Sequence, residues 1–143
     1  MMTHILVATD FNLCSLLAVQ HTFNLTRALG GHVTLLHVRE PETEEAEPAS
    51  LLLQKLGRQA RRTPECLVRP GGTDVAGVIL QVAADMDAEL IVMGAHGRQD
   101  APHPVLGRTV QQVMRAAVVP VQVVPGTLKL PHPGGRWQVL VGS

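Results

Sequence analysis

The sequence predicts an α/β domain built on an open, five-stranded, mostly parallel twisted sheet with helices on both faces. Five short apolar runs alternate along the chain with segments of helical periodicity, an order typical of parallel strands joined by crossover helices. The chain of 143 residues is long enough to bury one core. Because only 2% of its residues are aromatic, we expect that core to consist of aliphatic side chains.

The amino-terminal part predicts a buried strand and a long helix. Residues 4–9 form a continuous apolar run, which favours a strand covered on both faces. Residues 10–12 form a polar turn in which an Asp or Asn can cap a helix. That helix is predicted over residues 13–29, and Gly30 and Gly31 end it.

A second strand and a second helix follow, separated by an acidic segment. The strand is predicted over residues 33–38, and residues 39–48 are typical of a surface loop, with five glutamates and two prolines. The second helix is predicted over residues 49–62. It ends in a basic cluster, for which a solvent-exposed face is the simplest interpretation: Arg58, Arg61 and Arg62.

The same alternation continues to residue 124. A third strand is predicted over residues 65–69, a fourth over residues 90–93 and a fifth over residues 119–124, with Pro120 near its start. Between the third and fourth strands, six apolar residues repeat with helical spacing: Val75, Val78, Ile79, Val82, Ala83 and Met86. The apolar face of the last helix consists of Val110, Val113, Met114 and Ala117.

We assign residues 1–125 to this domain and residues 126–143 to a C-terminal segment that begins with a Pro- and Gly-rich linker. Residues 137–143 are apolar enough for another strand, and residues 139–143 are similar in sequence to residues 5–9. Two interpretations remain open. The segment is either the first strand of a second, missing repeat, or a short edge strand or disordered tail.

Composition and charge exclude several function classes. The formal net charge is zero, and aromatic side chains for stacking on bases are scarce, so we expect no nucleic-acid partner. The first residues lack the features of a signal peptide, and no apolar run is long enough to span a membrane. The two cysteines, Cys14 and Cys66, are too few for a disulfide scaffold and are expected to be buried thiols. Together these features predict a cytoplasmic protein without membrane attachment.

A glycine-rich loop follows the fourth strand. Gly94, Gly97 and Gly107 have the spacing G-x2-G-x9-G, and the last of them precedes a helix. Ligands of open α/β sheets bind at the carboxyl ends of the strands. Glycine allows close approach of the backbone to a ligand, and the N–H groups of a helix start can face an anion. The pattern therefore favours a phosphate-binding site.

Several better-known motifs are absent. The only lysines, Lys55 and Lys129, do not follow a glycine loop, which excludes a P-loop. The turn after the first strand has no glycine, which excludes the dinucleotide fingerprint. There is no G-x-S-x-G serine-hydrolase elbow, and the seven histidines lack zinc-site spacing.

These residues make the chain resemble the universal stress protein family of small Rossmann-like α/β domains. The matching segments are residues 5–10, 35–38, 91–98, 106–107 and 120–124, and the resemblance extends over nearly all of residues 4–125. The ATP-binding branch of the family is marked by G-x2-G-x9-G-[S/T]. This chain has Arg108 where that motif has Ser or Thr, and Thr109 comes one residue later. Arg108 either replaces the hydroxyl with a cationic phosphate contact or marks a degenerate site.

The resemblance implies that ATP, or ADP or AMP, binds with Mg²⁺ where the first and fourth strands end side by side. The residues that it implies for the nucleotide are Ala8, Thr9, Asp10, Val38, Met93, Gly94, His96, Gly97, Arg98, Gly107, Arg108 and Thr109. Asp10 is placed to accept a hydrogen bond from the nucleotide or to contact its Mg²⁺, and it is equally well explained as an Asx turn or helix cap. No catalytic residue and no protein metal site is assigned.

The resemblance also implies a homodimer, because family members commonly pair through the last strand. Residues 121–124 would supply that edge. Two alternatives to a regulatory nucleotide site remain. One is a dimerisation or interaction module that binds no nucleotide. The other is a slow ATPase, for which Asp10 and His96 are the only candidate residues.

Overall fold

Strands and helices alternate through residues 3–39, 48–95, 107–125 and 140–142, which are the residues that the computed structural model describes. The strands are β1 (His4–Ala8), β2 (His32–Arg39), β3 (Glu65–Pro70), β4 (Leu90–Gly94), β5 (Val121–Val124) and β6 (Leu140–Gly142). The helices are α1 (Leu13–Leu29), α2 (Ala49–Gly57), α3 (Val75–Asp85) and α4 (Arg108–Ala116). No helix in these ranges is both long enough and apolar enough to cross a membrane.

The strands form one sheet in the order β3-β2-β1-β4-β5-β6. Strands β1 to β5 are parallel to one another, which confirms the predicted α/β sheet. The chain builds outward from β1 to β3 and then crosses back to place β4 on the other side of β1. The carboxyl ends of β1 and β4 therefore flank a topological switch point, where open α/β sheets bind ligands.

Helices cover the sheet on two faces. Alternating residues of the strands divide into two buried clusters, one packed against α1 and α2 and the other against α3 and α4. Leu6 and Ala8 of β1 belong to the α3/α4 cluster, whereas Ile5 and Val7 belong to the α1/α2 cluster. This division follows from the two-residue period of a strand. Every member of the predicted α3 face lies in or against the α3/α4 cluster.

Two predicted boundaries were wrong by two residues or more, and several strand ends differ by one residue. Helix α2 ends at Gly57 rather than at residue 62, and the chain then turns. Gly57 is buried, and a Cβ there would lie 3.1 Å from Pro64 Cγ. The last residue of the helix is therefore in close contact with that proline. Strand β5 begins at Val121 rather than at residue 119, because Pro120 has no N–H to donate to a neighbouring strand.

The sheet has one strand more than the five predicted. Strand β6 pairs antiparallel with β5, placing Leu140 opposite Val123 and Gly142 opposite Val121. The carboxyl-terminal segment thus reaches the sheet as a short edge strand. Residues 126–139, which contain the predicted linker, lie outside the described residues.

Candidate functional site

The end of β1 at the switch point is held by a chain of buried hydroxyl groups. The Thr9 Oγ1 atom accepts a hydrogen bond from Phe11 N (3.0 Å) and lies 2.9 Å from Ser15 Oγ. The Ser15 hydroxyl faces two acceptors, Asp10 Oδ1 and Asn12 O, each at 3.0 Å. Because the single Ser15 proton is directed to those acceptors, the Thr9 hydroxyl donates to Ser15.

Asp10 is part of the turn into α1. Its Oδ1 atom accepts from Asn12 N at 3.1 Å, which is an Asx turn, and from the Ser15 hydroxyl. Asn12 is the cap of α1, because its side-chain oxygen accepts from Ser15 N at 2.9 Å. The interpretation of Asp10 as the first residue of an Asx turn is therefore confirmed. The same bonds hold the partly buried carboxylate of Asp10 at the switch point between β1 and β4.

His37 joins β2 to this turn. Its Nδ1 lies 2.8 Å from the Thr9 carbonyl oxygen, which can only accept, so His37 carries a proton on Nδ1. The His37 ring packs against Phe11, with centroids 4.6 Å apart and planes tilted by 35°. Phe11 has φ 66°, a left-handed conformation that costs roughly 1–3 kcal/mol for a residue with a side chain. The contacts of Thr9 and His37 hold the turn in that conformation.

Three of the predicted site residues lie buried together in the apolar core at the carboxyl end of the sheet. Ala8, Val38 and Met93 come from the carboxyl ends of β1, β2 and β4, and all three belong to the α3/α4 cluster. The register explains their proximity, because Val7 pairs with Val92, which places Ala8 beside Met93.

Gly94 lies in close contact with the first turn of α1. A Cβ at this position would lie 2.7 Å from the Cys14 carbonyl carbon and 2.7 Å from Ser15 N. The glycine thus lets the first turn of α1 approach the end of β4. Its φ is not in the left-handed region, so close approach rather than backbone freedom requires glycine here.

Gly107 brings the start of α4 to the end of β4. Gly107 N donates to Ala95 O at 2.8 Å, and Ala95 N donates to Val124 O at 2.9 Å. Gly107 is the N-cap of α4 and offers no side-chain oxygen, unlike Asn12 at α1 and Asp74 at α3. Within the described residues, the first N–H groups of α4 therefore lack the side-chain acceptor that α1 and α3 have, as do those of α2, whose N-cap is Pro48.

Charge at the start of α4 is unfavourable in the absence of an anion. The first turn holds no acidic residue, and its first position is the exposed Arg108. A cation beside a helix N-terminus is destabilising by roughly 0.3–1 kcal/mol, which a bound anion would reverse. Thr109 is partly buried next to Arg108. The structure thus brings Gly107, Arg108 and Thr109 to the switch point. His96, Gly97 and Arg98 lie outside the described residues.

Sequence reasoning missed two residues of this site. Ser15 was not assigned a role, although its position three residues after Asn12 is that of a helix-cap partner. His37 was noted only as part of a strand, and its contact with Thr9 depends on the pairing of β1 with β2.

Both cysteines are free thiols. Cys14 is buried. Cys66 is partly buried, and its burial, together with the nearby charge of Glu65, raises the pKa of its thiol.

Comparison with known proteins identifies one family. The model of the Universal stress protein family matches residues 1–125. A sequence relative is Universal stress protein MJ0531 of Methanocaldococcus jannaschii, which is 26% identical over 136 residues, with 84% of this chain and 80% of that protein covered.

Solved structures share the fold. The hypothetical protein MJ0577 superposes with a TM-score of 0.77 at 22% identity, covering 89% of this chain and 98% of the other. A universal stress protein solved in complex with cAMP gives a TM-score of 0.67 at 20% identity, covering 88% and 98%. The universal stress protein from Archaeoglobus fulgidus in complex with dAMP gives 0.61 at 16% identity, covering 86% and 97%.

Proposed function

Because the chain belongs to the universal stress protein family, we propose that it binds an adenine nucleotide, ATP or its products ADP and AMP, as a regulatory ligand in the cytoplasm. The observation that carries this proposal is the hydrogen bond from Gly107 N to Ala95 O. It places a helix start without a side-chain cap beside the switch point. The relatives solved with cAMP and dAMP support an adenine nucleotide as the ligand.

In this proposal, different groups of described residues contact the base and the phosphates of the ligand. Ala8, Val38 and Met93 give the base an apolar surface. The N–H groups at the start of α4 face the phosphates, and Arg108 adds a positive charge. In this proposal, Gly94, Gly97 and Gly107 form the G-x2-G-x9-G loop around the phosphates, with His96 and Arg98 inside it.

Asp10 and Thr9 complete the crevice on the β1 side. Asp10 is held by Asn12 and Ser15, so its carboxylate is oriented before a ligand arrives. We assign it to the ribose hydroxyls or to the Mg²⁺ that accompanies the phosphates. We assign it no part in hydrolysis, and the proposal includes no nucleophile and no general base. Any ATP hydrolysis would then be slow and incidental.

The proposal is tested by the nucleotide that the protein carries and binds. Protein purified without added nucleotide is denatured, and the supernatant is analysed for adenine nucleotides. The nucleotide-free chain is then titrated calorimetrically with ATP and Mg²⁺. We expect a single saturable site. The absence of both bound nucleotide and binding at millimolar ATP would sink the proposal and leave the interaction module as the better account.

A homodimer through the last strand of the parallel sheet is a second proposal. The outer edge of β5 is the one expected to pair, and β6 of the same chain lies on it over residues 121–123. A second copy can pair with β5 only after β6 leaves that edge. Removing residues 126–143 should therefore raise the dimer fraction measured by sedimentation. An unchanged monomer after this truncation would contradict dimerisation through β5.

A further inference from the structure

A groove lies at the opposite end of the sheet, near the amino ends of the strands. Its volume is about 430 Å³, which is within the range of small-molecule sites. The groove runs between the end of α1, the start of β2 and the turn that follows α2. Its lining includes Thr26, Arg27, Gly31, His32, Arg61 and Thr63. None of these residues takes part in the nucleotide site.

The walls of the groove are fixed by backbone contacts. Gly30 N donates to Thr26 O at 2.7 Å, which closes α1, and His32 N donates to Thr3 O at 2.8 Å. A Cβ at Gly31 would lie 2.8 Å from Thr3 O, so the wall formed by this turn packs directly on the start of β1. Across the groove, Ala60 N donates to Gly57 O at 3.1 Å. The two walls therefore exist before any ligand binds.

The charge of the groove has one sign. Arg27 and Arg61 are exposed side chains on opposite walls, and Arg62 lies beside Arg61. The walls belong to two segments of the chain, residues 11–39 and residues 48–64. Neither segment contains an aspartate or a glutamate. Glu65 is the first carboxylate after the second of these segments, and residues 40–47, which follow the first, contain five glutamates. Two guanidinium groups facing one cavity are suited to the oxygens of a phosphate.

We propose that this groove binds the phosphate groups of a small phosphorylated molecule through Arg27 and Arg61. The exposed Thr63 hydroxyl and the His32 ring supply further polar groups at its rim. A nucleic acid fits less well, because the formal net charge of the chain is zero and the groove is short. The site is independent of the nucleotide site, so either proposal can fail without the other.

The test is a titration of the full chain with inorganic pyrophosphate at low ionic strength. The amide resonances of the protein are monitored during the titration. We expect saturable shifts at His32 and Thr63. The double variant Arg27→Gln/Arg61→Gln should bind at least roughly tenfold more weakly, since charge-assisted hydrogen bonds are lost. The control variant Arg69→Gln/Arg115→Gln removes the same charge from exposed positions outside the groove and should bind like the wild type.

Two results would overturn the site. One is an equal loss of affinity in both double variants, which would mean that pyrophosphate responds only to total charge. The other is the absence of saturable shifts at His32 and Thr63. Circular dichroism and thermal unfolding of each variant establish that it is folded. If the first double variant is unfolded, Arg61→Gln alone, in a turn outside α2, is used with the same expected direction.

Discussion

The two ends of the sheet carry the two proposed anion sites, and the donors at these sites are of different kinds. At the carboxyl end, the groups that face the switch point are backbone N–H groups at the start of α4, and the nearby carboxylate of Asp10 is fixed by hydrogen bonds. At the amino end, the groups are the exposed side chains of Arg27 and Arg61. Backbone donors are fixed by the fold, whereas arginine side chains must be ordered by the ligand. The first end is therefore expected to select a ligand by shape and the second by charge.

The largest effect is expected from Gly107→Val at the carboxyl end. Gly107 has φ −62° and ψ 158°, which any residue can adopt, so its backbone conformation does not require glycine; circular dichroism and thermal unfolding establish that the variant is folded. The added side chain lies at the start of α4, where the proposal puts the phosphates. We expect the Kd for ATP to rise roughly a hundredfold, corresponding to about 2.7 kcal/mol, measured by calorimetry.

Gln112→Val is the matched control for this variant, because it places the same side chain at an exposed position of the same helix. It should leave ATP affinity unchanged. Pyrophosphate binding at the amino end should be unchanged in both variants. Wild-type ATP affinity in Gly107→Val would remove the start of α4 from the nucleotide site.

The second-largest effect is expected from Gly94→Ala, which tests packing rather than ligand binding at the carboxyl end of the sheet. Gly94→Ala would bring a Cβ to 2.7 Å from backbone atoms of Cys14 and Ser15, and backbone atoms cannot move without shifting α1. We expect a loss of about 1–3 kcal/mol in the free energy of unfolding, with or without nucleotide. Urea denaturation measures it.

Gly57→Ala is the comparison for Gly94→Ala. There the nearest atom is Pro64 Cγ at 3.1 Å, and alanine gains about 1 kcal/mol of helix propensity over glycine. Its net effect should be smaller than that of Gly94→Ala. Equal effects of the two substitutions would show that the approach of α1 to β4 is looser than described here.

The structure shows why some parts of this fold were predictable and others were not. The bounds of α1 were predicted correctly, because Asn12 and Gly30 are local signals at its two ends. The end of α2 was not, because the prediction followed the helical propensity of residues 58–62, although Gly57 and Pro64 are local stop signals and their contact closes the helix. Local propensity does not report such a contact.

The site shows the same division. The family resemblance implied Ala8, Val38 and Met93 for one site, and these residues share one cluster. The contact of His37 with Thr9 and the groove between α1 and the turn after α2 each join segments far apart in sequence. The basic residues after α2 were predicted to be solvent-exposed, which is confirmed. Their place beside Arg27 could not be read from the sequence.

The smallest effect is expected from Arg108→Ser, which restores the hydroxyl of the family motif. Removing a cation from the first turn of α4 should stabilise the nucleotide-free protein by about 0.3–1 kcal/mol. If the arginine contacts phosphate, ATP should bind more weakly by a few-fold. Arg115→Ser, at the other end of α4, is the control and should slightly destabilise the protein. Unchanged or tighter ATP binding in Arg108→Ser would show that the arginine is not part of the site.

The most direct test of the nucleotide proposal is an ATP and Mg²⁺ titration of the wild-type chain, followed residue by residue in amide resonances. Two sets of amides are compared: those of Asp10, Ala95 and Val110 at the carboxyl end, and those of His32, Arg61 and Thr63 at the amino end. We predict that the first set shifts at the lowest ATP concentrations and saturates together. Saturation confined to the second set, or no shift in either set at millimolar ATP, would contradict an adenine-nucleotide site at the switch point.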